Sequence, residues 1–352
     1  MTWLPKPKIA HPQLPKNALG MTRRDYEGVL STLCAGCGHD SITAAIISAA
    51  WEMDLPPHRV GKMSGIGCSS KTPAYFLGAA HGFNSVHGRM PSVATGAYCA
   101  NRDLIYLGVS GDGDTASIGL GQFAHAIRRK LRMLYIVENN GCYGLTKGQF
   151  SATADPDSKS KKGETVPFSP IDPALFAINM GASFVARSFS GDKEQLVPLI
   201  KAGLAHKGFA MIDVVSPCVT FNNHEGSTKS YDYMREHEEE IIDLVDWIPP
   251  EREITTRYGE GETVDVTMHD GSRVRLRKLA KDYDVHDPVA AGAFIQRRRH
   301  AGEIVTGLLY LDRAPRELHD IMGTVDGPLR DVAMRDLCPG SAALAKINAS
   351  LR

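Results

Sequence analysis

The chain has 352 residues, of which 43% are hydrophobic, enough to bury one large core or two modest ones, so disordered and fibrous classes are excluded. Forty basic residues balance forty acidic ones, which indicates neither a nucleic-acid nor an anionic-membrane partner. With no apolar leader or spanning segment, the seven cysteines predict a cytoplasmic protein whose thiols bind metal, react or lie buried, and not a disulfide framework.

Three regions are expected from the pattern along the chain. Residues 1–29 predict an extended arm, since the first twenty carry four prolines. Residues 30–250 predict the main binding domain. Residues 251–352 predict a C-terminal extension, in which period-two alternation around Asp270-Gly271 is typical of a β-hairpin.

Helical and strand patterns alternate through the main domain. Residues 41–53 predict a helix, 58–67 a strand entering a turn, and 103–111 a buried strand. This alternation favours an α/β fold with a mostly parallel central sheet flanked by helices.

The clearest unit is a βαβ unit that begins with the buried strand. Its helix is expected at 117–130, with Ile118, Phe123 and Ile127 on one face, and its second strand at 131–140. The following 28 residues are rich in Ser, Lys, Gly and Pro, and predict a long functional loop without elements of its own. One further helix and one strand are then expected before Cys218.

Residues 111–114, Gly-Asp-Gly-Asp, lie where the buried strand gives way to the helix. The glycines let backbone amides approach an anion, and Asp112 can face a cation. Such a turn is weak evidence by itself, because strand-to-helix turns use these residue types for backbone reasons alone.

A second polar turn, Asn139-Asn140-Gly141-Cys142, follows the next strand, and Asn140 comes 28 residues after Asp112. In a right-handed βαβ unit both strand ends meet at one edge of the sheet, where ligands of such folds bind. A carboxylate, an amide oxygen and diphosphate oxygens would suit Mg²⁺ there. The pair of motifs resembles that of thiamine-diphosphate enzymes, which implies Mg²⁺ binding by Asp112 and Asn140 side chains and by the Cys142 backbone carbonyl.

Four cysteines lie in three turns. Cys34 and Cys37 form a CxxC pair just before a predicted helix, Cys68 lies in GIGCSSK, and Cys218 lies in SPCVTF. Such turns allow thiolates to converge with backbone amides pointing at sulfur. A CxxC pair is also typical of a redox motif or of half a zinc site, so the pattern alone leaves all three open.

The motifs CAGCGH, GIGCSSK, HGR, ATG, GDGD, NNxxYGLTKGQ and SPC, in this order, resemble the β subunit of 2-oxoacid:ferredoxin oxidoreductases over about residues 30–240. The resemblance implies a thiamine-diphosphate-binding fold and a [4Fe–4S] cluster held by Cys34, Cys37, Cys68 and Cys218. It also implies an α subunit in a heterodimer or an α₂β₂ assembly, ferredoxin as electron acceptor and coenzyme A as co-substrate. No residue of this chain is a certain catalytic group, because the glutamate that activates thiamine is expected from the α subunit.

By the same resemblance a set of residues is expected to contact thiamine diphosphate. The set comprises His39, Ile66, Gly67, Cys68, Ser69, His87, Gly111, Gly113, Asp114, Gly144 and Leu145.

Lys71, Lys147 and Leu145 match family positions that border the substrate. A lysine there would pair with the distal carboxylate of 2-oxoglutarate, whereas pyruvate offers no such group. The predicted reaction is the reversible oxidative decarboxylation of 2-oxoglutarate to succinyl-CoA and CO₂. The residues leave open another 2-oxoacid as substrate, a cluster-free thiamine-dependent decarboxylase component, a zinc-stabilised α/β binding module, or two solvated loop lysines.

Overall fold

The computed structural model describes residues 12–146, 148–154, 166–216, 218, 254–267, 273–338 and 340–351. Within this part of the chain, eleven strands and nine α-helices are formed. The strands are β1 (Val60–Ser64), β2 (His81–Asn84), β3 (Ile105–Gly111), β4 (Met133–Asn139), β5 (Cys142–Tyr143), β6 (Gln149–Phe150), β7 (Phe184–Phe189), β8 (Phe209–Val215), β9 (Thr263–Thr267), β10 (Arg273–Lys278) and β11 (Glu303–Leu311).

The α-helices are α1 (Gly38–Glu52), α2 (Met90–Ala100), α3 (Leu120–Arg128), α4 (Pro173–Asn179), α5 (Lys193–Ala205), α6 (Pro288–His300), α7 (Leu318–Met322), α8 (Met334–Leu337) and α9 (Gly340–Ser350). None of the helices in the described ranges is long and apolar enough to cross a membrane.

Nine strands form one sheet in the order β2-β1-β3-β4-β8-β7-β11-β10-β9. The six strands from β2 to β7 are parallel to their neighbours, while β11 is antiparallel to β7 and β9 is antiparallel to β10. The mostly parallel sheet flanked by helices is therefore confirmed. The predicted hairpin is also present as β9–β10, and its turn residues, 268–272, lie outside the described residues.

Each face of the sheet packs against its own helices. On β4, Leu134 and Ile136 pack into the core shared with α1 and α5, whereas Tyr135 and Val137 pack into the core shared with α2, α3, α4 and α6. Successive side chains of a strand point to opposite faces, so a strand covered on both sides is apolar throughout. This explains why β3 and β4 read as continuous apolar runs.

The βαβ unit β3–α3–β4 forms as predicted, with Phe123 and Ile127 buried. The placement of Ile118 on the same helical face was wrong. A π-helical turn, Gly113–Ile118, precedes α3 and leaves Ile118 44% exposed.

Two further expectations about elements need correction. The region after β4 is not a plain loop, because β5 and β6 pair antiparallel within it. Two helices and two strands, α4, β7, α5 and β8, precede Cys218 where one of each was expected. The pairing of β5 with β6 is only two residues long on each side, too short to be visible as a periodic pattern.

Candidate functional site

A cavity of about 100 Å³ opens at the carboxyl ends of β1, β3 and β4. This is the edge where ligands of open α/β sheets bind. Its walls are His39, Ile66, Gly67, Cys68, Ser69, His87, Gly111, Asp112, Gly113, Asp114, Ile118, Glu138, Asn140, Cys142, Tyr143, Gly144, Leu145 and Thr146.

The Asp112 carboxylate lies on the cavity floor and is 1% exposed. Its Oδ1 accepts a hydrogen bond from the Asn140 backbone amide at 3.2 Å, and its Oδ2 accepts from the hydroxyls of Ser151 and Thr153. Burial raises the pKa of Asp112, and these hydrogen bonds oppose the rise. A buried carboxylate beside an amide side chain is a hard oxygen donor set of the kind that Mg²⁺ binds.

Asp114 accepts hydrogen bonds that hold the adjacent part of the cavity wall in place. Its Oδ1 accepts from the Gly88 backbone amide at 2.7 Å, and its Oδ2 accepts from the Ser110 hydroxyl at 2.9 Å. Burial raises the pKa of Asp114, and the hydrogen bond from Gly88 is the largest opposing effect. The turn that carries His87 is thereby held against the Gly-Asp-Gly-Asp turn.

Two glycines leave space that a side chain would fill. A Cβ on Gly113 would lie 2.5 Å from the Tyr143 ring, so the two turns approach more closely than any other residue allows. A Cβ on Gly144 would lie 3.4 Å from the Cys218 sulfur and 3.5 Å from the Cys68 sulfur. Glycine-lined walls of this kind let backbone amides reach a diphosphate, which fits the predicted cofactor.

Glu138 was missed by the sequence reasoning. It is the last but one residue of β4, is fully buried and lies in the cavity wall, with neither carboxylate oxygen hydrogen-bonded among the described residues. Thr72 is a polar neighbour, but its hydroxyl donates to the Ser69 carbonyl. Burial raises the pKa of Glu138 well above its usual range, and Asp40 adds to the rise. The available signal was a carboxylate at the end of an otherwise apolar strand.

His39 lies beside Glu138 at the start of α1. Its Nδ1 is 2.7 Å from the Ser216 hydroxyl and 3.5 Å from Glu138 Oε2. Burial lowers the pKa of His39 to about 4. The ring is therefore neutral at pH 7, and presents a hydrogen-bonding edge to the cavity without a charge.

The cysteine turns converge behind the cavity. Cys37 caps α1 and its backbone amide donates to the Cys34 carbonyl at 3.0 Å, which closes the CxxC turn. Electrostatic interactions join Cys68 to Cys34 and Cys218, and join Cys37 to Cys218. Burial raises the pKa of the Cys68 thiol to about 11, while the ammonium of Lys71 opposes the rise.

Cys142 contributes its side chain as well as its carbonyl to this region. Its thiol is hydrogen-bonded with that of Cys218, which raises the pKa of Cys142 together with burial. The sequence implied a role only for the backbone carbonyl of Cys142, and nothing in the spacing indicated the side-chain contact. Through Cys142 and Gly144, the turn that carries Asn140 contacts the cysteine turns.

No group of three or more His, Cys, Asp or Glu side chains within the described ranges stands close enough to hold a single metal ion. A four-iron cluster is larger than one ion, so its thiolates stand further apart than the ligands of zinc. Within the described ranges the cysteine turns therefore form no site for a single zinc ion. The expected Mg²⁺ ligands include one carboxylate, that of Asp112, together with the Asn140 side-chain amide and the Cys142 carbonyl, so a group of three such side chains is not expected there.

Fourteen of the predicted site residues therefore line one cavity. Cys34, Cys37, Cys218 and Lys71 are not among its lining residues, and Lys147 lies outside the described residues. Besides Glu138, the structure adds Ser151 and Thr153, which bind Asp112 from the segment after β6 and were not among the predicted residues.

A larger cavity of about 400 Å³ lies between α5 and β10–β11. Its walls include Glu194, Lys278, Lys281 and Tyr283. None of the predicted site residues lines it.

Comparisons with known proteins agree with this geometry. The family model for the thiamine pyrophosphate enzyme, C-terminal TPP binding domain, matches residues 62–214. A 2-oxoacid:ferredoxin oxidoreductase subunit beta from Saccharolobus solfataricus is 43% identical over 199 residues, 56% of this chain and 65% of that protein. The 2-oxoglutarate oxidoreductase subunit KorB from Mycobacterium tuberculosis is 35% identical over 228 residues, 64% of this chain and 57% of that protein.

A solved structure extends the likeness to nearly the whole chain. The 2-oxoglutarate:ferredoxin oxidoreductase from Magnetococcus marinus, with 2-oxoglutarate, coenzyme A and succinyl-CoA bound, matches with a TM-score of 0.69 and 30% identity. The match covers 94% of this chain and 96% of that one.

The fold, the matched domain and the cavity at the strand ends define a thiamine-diphosphate-binding protein. Within that class the chain belongs to the family of 2-oxoacid:ferredoxin oxidoreductase β subunits. The matched segment spans slightly less than two thirds of the Saccharolobus relative's length.

Proposed function

We propose that this chain is the β subunit of a 2-oxoglutarate:ferredoxin oxidoreductase, which forms succinyl-CoA and CO₂ and passes electrons through a [4Fe–4S] cluster to ferredoxin. One observation carries the proposal. In the turn that follows Asn140, a Cβ on Gly144 would come within 3.4 Å of the Cys218 sulfur and 3.5 Å of the Cys68 sulfur, so an oxygen-rich cofactor cavity and a group of cysteine turns lie side by side.

The cofactor would be held by the two polar turns. Asp112, Asn140 and the Cys142 carbonyl would bind Mg²⁺, and backbone amides around Gly113 and Gly144 would receive the diphosphate. Thiamine diphosphate supplies the electron sink that allows a 2-oxoacid to lose CO₂. His39 is neutral and Glu138 carries a raised pKa, so these two side chains would present hydrogen-bonding groups to the cavity.

The cysteine turns would hold the cluster next to that cofactor. Cys34, Cys37, Cys68 and Cys218 have the residue type for Fe–S ligation, and Cys68 also lines the cofactor cavity. Because Cys68 would bind the cluster and also lines the cofactor cavity, electrons would have only a short distance to travel from the cofactor to the cluster. Zinc would not serve here, because it has no accessible redox change.

Lys71 supports 2-oxoglutarate as the substrate. Its ammonium lies near enough to the Cys68 thiol to oppose the rise that burial causes in that thiol's pKa, which places a cation close to the cavity wall. A carboxylate at the far end of the substrate would pair with it. The Magnetococcus enzyme binds 2-oxoglutarate, which agrees with this choice. Lys147 and Leu145 are proposed to border the same substrate.

An α subunit would complete the site. Val86, Ile118 and Leu145 stand around the cavity and are 69%, 44% and 50% exposed, and the edge strand β2 beside them is exposed along its length. Apolar side chains grouped at a ligand cavity are typical of a subunit interface. The family name of the relatives, subunit beta, agrees with such a partner.

The test is an anaerobic assay of the chain co-purified with its α subunit. With coenzyme A and oxidised ferredoxin, 2-oxoglutarate is expected to give succinyl-CoA and reduced ferredoxin, at a kcat/KM well above that for pyruvate. Equal or higher kcat/KM for pyruvate would reject the substrate. Decarboxylation without ferredoxin reduction would favour a cluster-free thiamine-dependent component.

A further inference from the structure

A continuous row of buried polar contacts runs from β7 to the carboxylate of Asp112. Arg187 on β7 is 5% exposed, and its Nε donates to Asp213 Oδ2 on β8 at 2.7 Å. Asp213 Oδ1 accepts from the Asn139 side-chain amide at 3.0 Å. The Asn139 oxygen then faces the Thr153 hydroxyl at 3.0 Å, and that hydroxyl lies 2.8 Å from Asp112 Oδ2.

The ion pair between Arg187 and Asp213 fixes the orientation in which Asp213 meets Asn139. Arg187 also pairs with Asp172, the N-cap of α4, so its planar guanidinium is held by two carboxylates at once. Such a fork has a single geometry, unlike a point charge on a flexible stem. Asp213 is therefore presented to Asn139 in one orientation.

The hydrogen bond between Asn139 and Asp213 fixes the orientation of the Asn139 side-chain amide. An amide has a donor end and an acceptor end, and only the donor end can face the Asp213 oxygen. The acceptor oxygen must then face Thr153. The Thr153 hydroxyl shares its single proton between that oxygen at 3.0 Å and Asp112 Oδ2 at 2.8 Å, and it lies 2.8 Å from the Ser151 hydroxyl.

We infer that Asp213, with Arg187 behind it, positions the Asp112 carboxylate for its cation through Asn139 and Thr153. The inference rests on the proposed Mg²⁺ site and adds four positioning residues to it. Loss of one of these residues is expected to weaken metal affinity roughly 10- to 100-fold, as does loss of other residues that hydrogen-bond to metal ligands. None of the four residues lines the cavity, so each is a positioning residue and not a catalytic one.

The experiment measures binding of Mn²⁺, as a paramagnetic substitute for Mg²⁺, to the complex of this chain with its α subunit. Electron paramagnetic resonance follows free Mn²⁺ with and without thiamine diphosphate, and melting temperature is recorded for every variant. Asp213→Asn keeps the side-chain shape but removes the charge and leaves one acceptor oxygen where Arg187 and the Asn139 amide use two. Thr153→Val keeps the shape of the side chain beside Asp112 but removes its hydroxyl, and Thr153→Ser keeps the hydroxyl.

The matched control is Asp265→Asn, which breaks an Asp–Arg pair of similar length, 2.7 Å to Arg275, on the exposed β9–β10 hairpin. Asp213→Asn and Thr153→Val are expected to raise the Mn²⁺ dissociation constant about 10-fold or more. Thr153→Ser and Asp265→Asn are expected to stay within about twofold of wild type. If Asp213→Asn does not fold, the comparison of Thr153→Val with Thr153→Ser decides the outcome.

Wild-type affinity in Asp213→Asn and Thr153→Val would overturn the positioning role while leaving the Asp112 site intact. The same loss in Asp265→Asn or Thr153→Ser would also overturn it, because the effect would then follow no particular contact. Absence of thiamine-dependent Mn²⁺ binding in the wild type would instead reject the proposed cofactor site itself.

Discussion

Asp112 and Asn140 are 28 residues apart in the chain, yet the backbone amide of Asn140 donates to Asp112 Oδ1 at 3.2 Å. The contact exists because β3 and β4 are parallel neighbours, so the turns that follow them meet at one edge of the sheet. One oxygen of Asp112 is thereby directed at the turn that carries Asn140 and Cys142.

Replacement of Asp112 tests the proposed cation site. Asp112→Asn keeps the shape of the side chain and removes its negative charge. Mg²⁺-dependent binding of thiamine diphosphate should therefore weaken by at least roughly 10- to 100-fold, the loss expected when a residue that only hydrogen-bonds to a metal ligand is replaced. Calorimetric titration of thiamine diphosphate at fixed Mg²⁺ measures this. Unchanged affinity would show that the cation binds elsewhere.

Replacement of Cys218 tests the proposed cluster. Cys218→Ser should lose most of the bound iron and ferredoxin reduction but retain thiamine diphosphate, because Asp112 and Asn140 are untouched. Cys338→Ser is the control, since Cys338 is exposed and its thiol lies 3.7 Å from the Met334 sulfur in the C-terminal helices. Normal ferredoxin reduction in Cys218→Ser would remove this residue from the ligand set.

Replacement of Lys71 tests the substrate. Lys71→Met should lower kcat/KM for 2-oxoglutarate about 10- to 100-fold, because a hydrogen bond to a charged group contributes about 1.5–3 kcal/mol. The kcat/KM for pyruvate should change less than about threefold. Lys201→Met, which breaks an exposed pair with Glu52, is the control for loss of a lysine charge. Equal losses on both 2-oxoacids would remove the argument for 2-oxoglutarate.

Lys62 predicts a pH dependence of stability. Its buried ammonium donates to the carbonyls of Pro73, Phe76 and Leu77 just after the Cys68 turn, and burial lowers its pKa to about 8. Between pH 8 and the usual lysine pKa, the unfolded chain binds the proton that the folded chain has lost, so stability rises with pH in that window and is lost again as pH falls through 8.

The comparison with Lys62→Met isolates this effect from other titrating groups. Between pH 7.5 and 9.5 the free energy of unfolding of wild type should rise relative to the variant by on the order of 2 kcal/mol. Urea unfolding at the two pH values measures the difference. A constant difference across this range would mean that the lysine keeps its proton in the folded protein.

The meeting of the two strand ends was predictable from the sequence, and the contacts that residues 151 and 153 make with it were not. The apolar runs of β3 and β4, each followed by a polar turn, predicted that Asp112 and Asn140 would meet. The hydroxyls of Ser151 and Thr153 come from a segment with no periodic pattern, so their approach to Asp112 left no signal. Ile118 fits the helical period but lies in a π-helical turn, where one extra residue per turn moves it off the buried face.

Iron and acid-labile sulfide analysis of the anaerobically purified complex tests the central claim most directly, together with electron paramagnetic resonance before and after dithionite. About four irons per β chain, with a signal that appears on reduction, are expected for a [4Fe–4S] cluster next to thiamine diphosphate. Zinc, or no metal with the cysteines intact, would contradict the electron-transfer role and leave a thiamine-binding subunit without its proposed redox centre.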